Sequence, residues 1–105
     1  RAWSGGPQTV IAQYILGIRP SEPGWREVII RPAISPLHQA SISIPTISGT
    51  LAYSFKHDNN NYAVTVTIPE GMLVHFVFPD GFTSSVGQEQ WFKAGTHQIN
   101  LFYKQ

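Results

Sequence analysis

The alternation of apolar and polar positions divides this 105-residue chain into two unequal parts. Val10, Ile11, Tyr14, Ile15 and Ile18 recur at spacings of one, three and four, with Gln8, Thr9 and Gln13 opposite, which places the apolar set on one face of a helix. Ser4 can cap that helix, Pro7 suits its first turn because no N–H is needed there, and Gly17 with Pro20 supplies a stop. The pattern predicts one short amphipathic helix over 7–16. So short a helix is marginal in isolation, and its apolar face requires cover from the rest of the chain or from a neighbour.

From residue 25 onward the period falls to two. Val28 and Ile30 alternate with Glu27, Ile29 and Arg31 up to Pro32; Ala40, Ile42 and Ile44 alternate with Gln39, Ser41 and Ser43 up to Pro45. Leu51, Tyr53 and Phe55 on one side, and Tyr62, Val64, Val66 and Ile68 on the other, flank the turn-forming run His57-Asp58-Asn59-Asn60-Asn61, a hairpin signature. Pro69-Glu70-Gly71 and Pro79-Asp80-Gly81 are tight turns around a stretch, Met72 to Phe78, that is apolar on both faces except at His75 and is therefore predicted to be a central strand. Shorter elements are predicted around Ser84 to Val86 and Gln90 to Phe92, and a last strand, with His97, Ile99, Leu101 and Tyr103 alternating, closes the sheet. The expected fold is mainly β: an antiparallel β-sandwich of about six to eight strands preceded by one short amphipathic α-helix. Residues 1–24 read as the last helix and linker of a larger preceding domain, and residues 25–105 as the sandwich.

Composition narrows the function classes. Hydrophobic residues make up 42% and charged residues 12%, the balance of a packed β domain rather than a disordered tail. The net charge is +1 with Arg and Lys scattered, so no basic stripe is available for nucleic acid. There is no cysteine, which removes disulfide frameworks and zinc–thiolate sites, and the apolar runs fall far short of the roughly 20 residues of a membrane span. The compartment stays open between periplasmic, extracellular and cytoplasmic.

No catalytic constellation emerges from the spacing. The six acids, Glu22, Glu27, Asp58, Glu70, Asp80 and Glu89, are dispersed, and three of them fall in turns, where Asp and Glu ordinarily bond backbone or water. His38, His57, His75 and His97 show no metal-ligand spacing. Ser4 lacks the preceding strand of a nucleophile elbow and is better read as a helix cap, and Gly5-Gly6 matches no phosphate loop. No catalytic residue, metal or cofactor is therefore expected. Among the aromatics, Tyr53, Phe55 and Tyr62 read as core, while Trp91 and Phe92 form a candidate glycan-binding pair and Trp3 a candidate domain-interface or substrate-proximal residue. Trp3 with the helix face would also make a patch open to self-association.

The junction is more specific. Ala2-Trp3-Ser4-Gly5-Gly6-Pro7, Tyr14-Ile15-Leu16-Gly17-Ile18-Arg19-Pro20, Glu22-Pro23-Gly24 and Val28-Ile29-Ile30-Arg31-Pro32 together resemble the corresponding stretch of bacterial α-L-rhamnosidases of glycoside hydrolase family 78. The resemblance extends through Ile44-Pro45-Thr46, Val64 to Gly71 and Gly95-Thr96-His97, although these strand matches are generic to β-sandwiches. It implies that residues 1–24 end an (α/α)6 catalytic barrel, that a carboxy-terminal β-sandwich follows, and that the parent enzyme removes terminal α-L-rhamnose with inversion, using two acids upstream of this chain. Arg1 stands where that family has His, so no sugar-binding role passes to it. The implied role of the sandwich is structural, with the catalytic domain of the same polypeptide as its partner. The alternative is a carbohydrate-binding module for rhamnose-containing glycans, which predicts exposed Trp or Tyr rings on a sheet face; a third reading is an interaction domain of an inactive homologue.

Overall fold

The computed structural model describes residues 16–32, 38–58, 60–84 and 90–104. They form nine strands: β1 (Ile18–Pro20), β2 (Glu27–Ile30), β3 (Gln39–Thr46), β4 (Gly49–His57), β5 (Asn61–Ile68), β6 (Leu73–Phe76), β7 (Phe82–Ser84), β8 (Trp91–Phe92) and β9 (Gly95–Tyr103). A four-stranded sheet has the order β1-β2-β6-β8 and a five-stranded sheet the order β3-β4-β5-β9-β7.

Period-two alternation builds both sheets. In β4 and β5 the predicted residues Leu51, Tyr53, Phe55, Tyr62, Val64, Val66 and Ile68 are all buried, and the hairpin register sets Phe55 opposite Val64 and Tyr53 opposite Val66. In the smaller sheet Ile18, Val28, Ile30, Val74 and Phe76 turn inward and are completely buried. These side chains from both sheets join one hydrophobic cluster. Tyr53 carries its hydroxyl into that cluster, where desolvation, with Tyr62 alongside, pushes its pKa well above the usual phenol range.

The structure corrects the expected architecture at several points. The strand count exceeds the six to eight expected, because Ile18-Arg19-Pro20, assigned from sequence to the helix end and linker, forms β1 at the edge of the smaller sheet. Leu16 and Ile18 are buried in the shared core, so the β fold begins before residue 25. No helix occurs among the described residues; the predicted helix falls outside them except for its last residue, Leu16, which lies in a bend ahead of β1. Pairing is not wholly antiparallel either, since β2 and β6 run parallel, Ile29 opposite His75 and Ile30 opposite Phe76. Between them the chain completes the β3–β4–β5 meander of the other sheet, a connection long enough to return it in the same direction. Pro45 does not end β3, because β3 is an edge strand that tolerates a missing donor. Nor does β9 close its sheet: it lies between β5 and the short edge strand β7.

Two carboxylates organise turns. The Glu22 side chain accepts bonds from the N–H groups of Gly24 and Arg26 and lies 3.9 Å from the Arg26 guanidinium, while Asp58 Oδ1 accepts from the N–H groups of Asn60 and Asn61, each at 2.9 Å. These backbone donors hold both carboxyls below their ordinary pKa. A lowered folded-state value means a stabilising contribution that is complete above about pH 4–4.5, the range of the unfolded groups, and is lost as pH falls through the folded values. Melting temperature measured against pH is therefore expected to decline less steeply below about pH 4.5 in a Glu22→Ala, Asp58→Ala double variant than in the parent. Equal slopes would show that neither turn responds to its carboxylate.

Candidate functional site

The outer face of the smaller sheet is assembled by register. Arg19 in β1 stands opposite Ile29 in β2, Ile29 opposite His75 in β6, and His75 opposite Trp91 in β8, so one row crosses all four strands. The adjacent row sets Glu27 opposite Leu73. At the end of the main row the imidazole of His75 and the indole of Trp91 stack with centroids 4.1 Å apart and planes within 2°. Trp91 is nevertheless 46% exposed.

The sequence pair Trp91 and Phe92 is thereby divided. Neighbours on a strand point to opposite faces, and Phe92 packs half-buried against the core, its ring 5.1 Å from that of His97. His97 in turn donates from Nε2 to the carbonyl of Lys93 at 2.8 Å, tying β8 to the start of β9. Trp25 is buried at 4% in the turn after β1. Its amide donates to the carbonyl of Glu22, and its φ of +60° puts a bulky residue in the left-handed region, a cost met by burying the indole. Trp3 lies outside the described residues. Among the described residues the tryptophans thus form no exposed row: Trp25 belongs to the core and Trp91 rests on a histidine at the sheet surface.

Elsewhere Phe102 and Tyr103 are exposed at the end of β9, and the other described aromatic side chains are buried or half-buried. Phe55, His57 and Tyr62 form a stack, with His57 and Tyr62 centroids 4.9 Å apart and Phe55 and Tyr62 5.4 Å apart. The outer face of the larger sheet has another character altogether. Its cross-strand row Ser41, Ser54, Thr65, Gln98 is made of small hydroxyl and amide groups, and a shallow groove of about 560 Å³ runs along it where these side chains are short. Among the described residues no three His, Asp or Glu side chains converge on a possible metal position.

Similarity to known proteins gives this geometry its context. The profile of the bacterial alpha-L-rhamnosidase C-terminal domain matches residues 17–93, which hold all four strands of the smaller sheet and all of the larger one but β9. The chain belongs to that family. It is 34% identical over 97 residues to an alpha-L-rhamnosidase of Alteromonas sp. (strain LOR), an alignment that covers 83% of this chain and 10% of that protein. Among solved structures, an alpha-L-rhamnosidase from Aspergillus terreus superposes with a TM-score of 0.72 at 22% identity, covering 88% of this chain and 10% of that one. One from Dictyoglumus thermophilum gives 0.68 at 17% identity, covering 92% and 13%. The structural matches show a shared fold. This rhamnosidase C-terminal domain thus spans about a tenth of the length of the relatives it matches. The His75–Trp91 stack lies within the matched residues.

Proposed function

We propose that this chain is the structural and interface domain of an enzyme that hydrolyses terminal α-L-rhamnose from glycans, with the acid and base in the rest of the polypeptide. The observation that carries the reading is the family match over residues 17–93, in relatives roughly ten times longer. The use of the carboxylates supports it: Glu22 and Asp58 are engaged by backbone N–H groups, whereas inverting glycosidases hold an acid and a base about 6.5–9.5 Å apart across the scissile bond. Residues 1–15, ahead of the β fold, are the end of the preceding catalytic domain in this reading.

The test is activity on an aryl α-L-rhamnoside. The full-length protein is expected to release L-rhamnose first as the inverted β anomer, seen by NMR, and the 105-residue chain alone to give no turnover. Glu22→Gln and Asp58→Asn in the full-length protein are expected to leave kcat and KM unchanged. Turnover by the isolated chain would overturn the proposal.

A further inference from the structure

The two outward faces of this domain differ in kind. On the larger sheet the outer rows carry mostly Ser, Thr, Gln, Asn, Lys and Ala, with Phe102 near the end of β9 the large apolar exception, a composition that suits contact with water. On the smaller sheet the corresponding positions carry Ile29, Leu73 and the His75–Trp91 stack, with Val77 continuing past β6, its amide bonded to the carbonyl of Ile30. The sequence of these strands is therefore apolar at both parities: Val28-Ile29-Ile30 in β2 and Leu73-Val74 leading to Phe76-Val77-Phe78 around β6. Near-continuous apolar runs and a parallel pair, as β2 and β6 form, are the marks of a sheet covered on both faces. The inner face is covered by the larger sheet through the common core.

We propose that the outer face of the smaller sheet, centred on Ile29, Leu73 and the His75–Trp91 stack, is the surface through which this domain docks on the preceding catalytic domain of its own polypeptide. The proposal rests on the reading that the chain is one domain of a longer rhamnosidase. Connectivity selects that occupant: Leu16 and Gly17 lead into β1, an edge strand of the smaller sheet, so whatever polypeptide precedes them joins the domain at this sheet and not at the larger, polar-faced one. Relatives hold about nine-tenths of their length outside the domain, enough to cover it. The partner surface is apolar, with room for an indole. Trp91 supplies a large rigid ring, half exposed and held flat by His75, of the kind that anchors protein interfaces, while Arg19 and Glu27 place charges at the margin of the patch. A glycan site would use the exposed indole of Trp91 and leave Ile29 and Leu73 without a role.

The absence of cysteine from these 105 residues makes the face easy to map. Single variants Leu73→Cys and Trp91→Cys, with Thr65→Cys and Gln98→Cys on the polar face, are made in the full-length protein and reacted with a maleimide, labelling at each peptide being followed by mass spectrometry. Cysteines at 73 and 91 are expected to react about tenfold or more slowly than those at 65 and 98, because a covered thiol waits for local opening. Equal rates would overturn the proposal. So would protection at 73 and 91 that disappears on dilution, which would mark a second copy as the cover, or fast labelling slowed by methyl α-L-rhamnoside, which would mark a glycan site. Protection retained in a protein with no activity on an aryl α-L-rhamnoside would leave the docking face standing and remove only the enzymatic reading.

Discussion

Replacing Phe76 by alanine is expected to lower the unfolding free energy of the domain by about 3–5 kcal/mol, the cost of emptying a fully enclosed aromatic site. Phe76 lies in β6, an inner strand of the smaller sheet, with no exposed surface and with the Phe78 ring 5.9 Å away edge-on. Its backbone is held on both sides: it stands opposite Ile30 of β2, and its amide donates to the carbonyl of Gln90 at 2.7 Å. The strand is thus fixed while the side chain is removed, and the surrounding side chains cannot readily collapse into the space. Against a usual total of about 5–15 kcal/mol for a small domain, the variant is brought near the edge of folding. Urea unfolding followed by tryptophan fluorescence measures the shift. Phe102→Ala provides the comparison, since Phe102 is 39% exposed at the outer face of β9, and a change within about 0.5 kcal/mol is expected there. Similar midpoints for the two variants would show that the common core does not govern stability.

The contrast between these phenylalanines also shows what a linear sequence reveals. Long strands announce themselves: the alternation sets three apolar residues inward in β4 and four in β5, and every inward residue read from that pattern is buried. Short elements do not. In β1 only Ile18 faces the core fully, and Ile18 also completes the helical spacing from Tyr14, so a three-residue strand is indistinguishable from the tail of a helix. β8 has two residues, too few for any period, which is why Trp91 and Phe92 read as a pair although the pleat sends them to opposite faces. The parallel union of β2 with β6 depends on contacts across more than forty residues, beyond the reach of local pattern. What was visible without being decoded was the apolar run Met72 to Phe78. Its dry second face, read as central burial, coincides with the outer surface of the smaller sheet, where Leu73 and His75 are half-buried rather than enclosed.

Gly17→Ala is the second substitution expected to do substantial damage, for a reason of backbone rather than core. Gly17 sits between the buried Leu16 and β1 with φ of +75°, and its carbonyl accepts the amide of Arg31 at 2.8 Å, a bond that closes the β1–β2 pair. A Cβ on this residue would come within 1.8 Å of the Arg31 carbonyl oxygen, so the two chain segments must separate. The left-handed conformation costs an alanine about 1–2 kcal/mol, and weakening the closing bond adds about 1 kcal/mol. A loss of at least about 2 kcal/mol is therefore expected, with hydrogen exchange accelerated selectively in β1 and β2. Gly71→Ala separates the two contributions. Gly71 has φ of +85° in the Pro69–Met72 turn, yet a Cβ there meets nothing within 4 Å, so only the conformational part applies and the loss is expected to stay near 1 kcal/mol. If the two variants unfold at the same denaturant concentration, the close approach of Gly17 to Arg31 is not what fixes β1 at the sheet edge. A larger loss for Gly17→Ala, with exchange accelerated only in β1 and β2, is the outcome expected if the close approach of Gly17 to Arg31 holds β1 at the sheet edge.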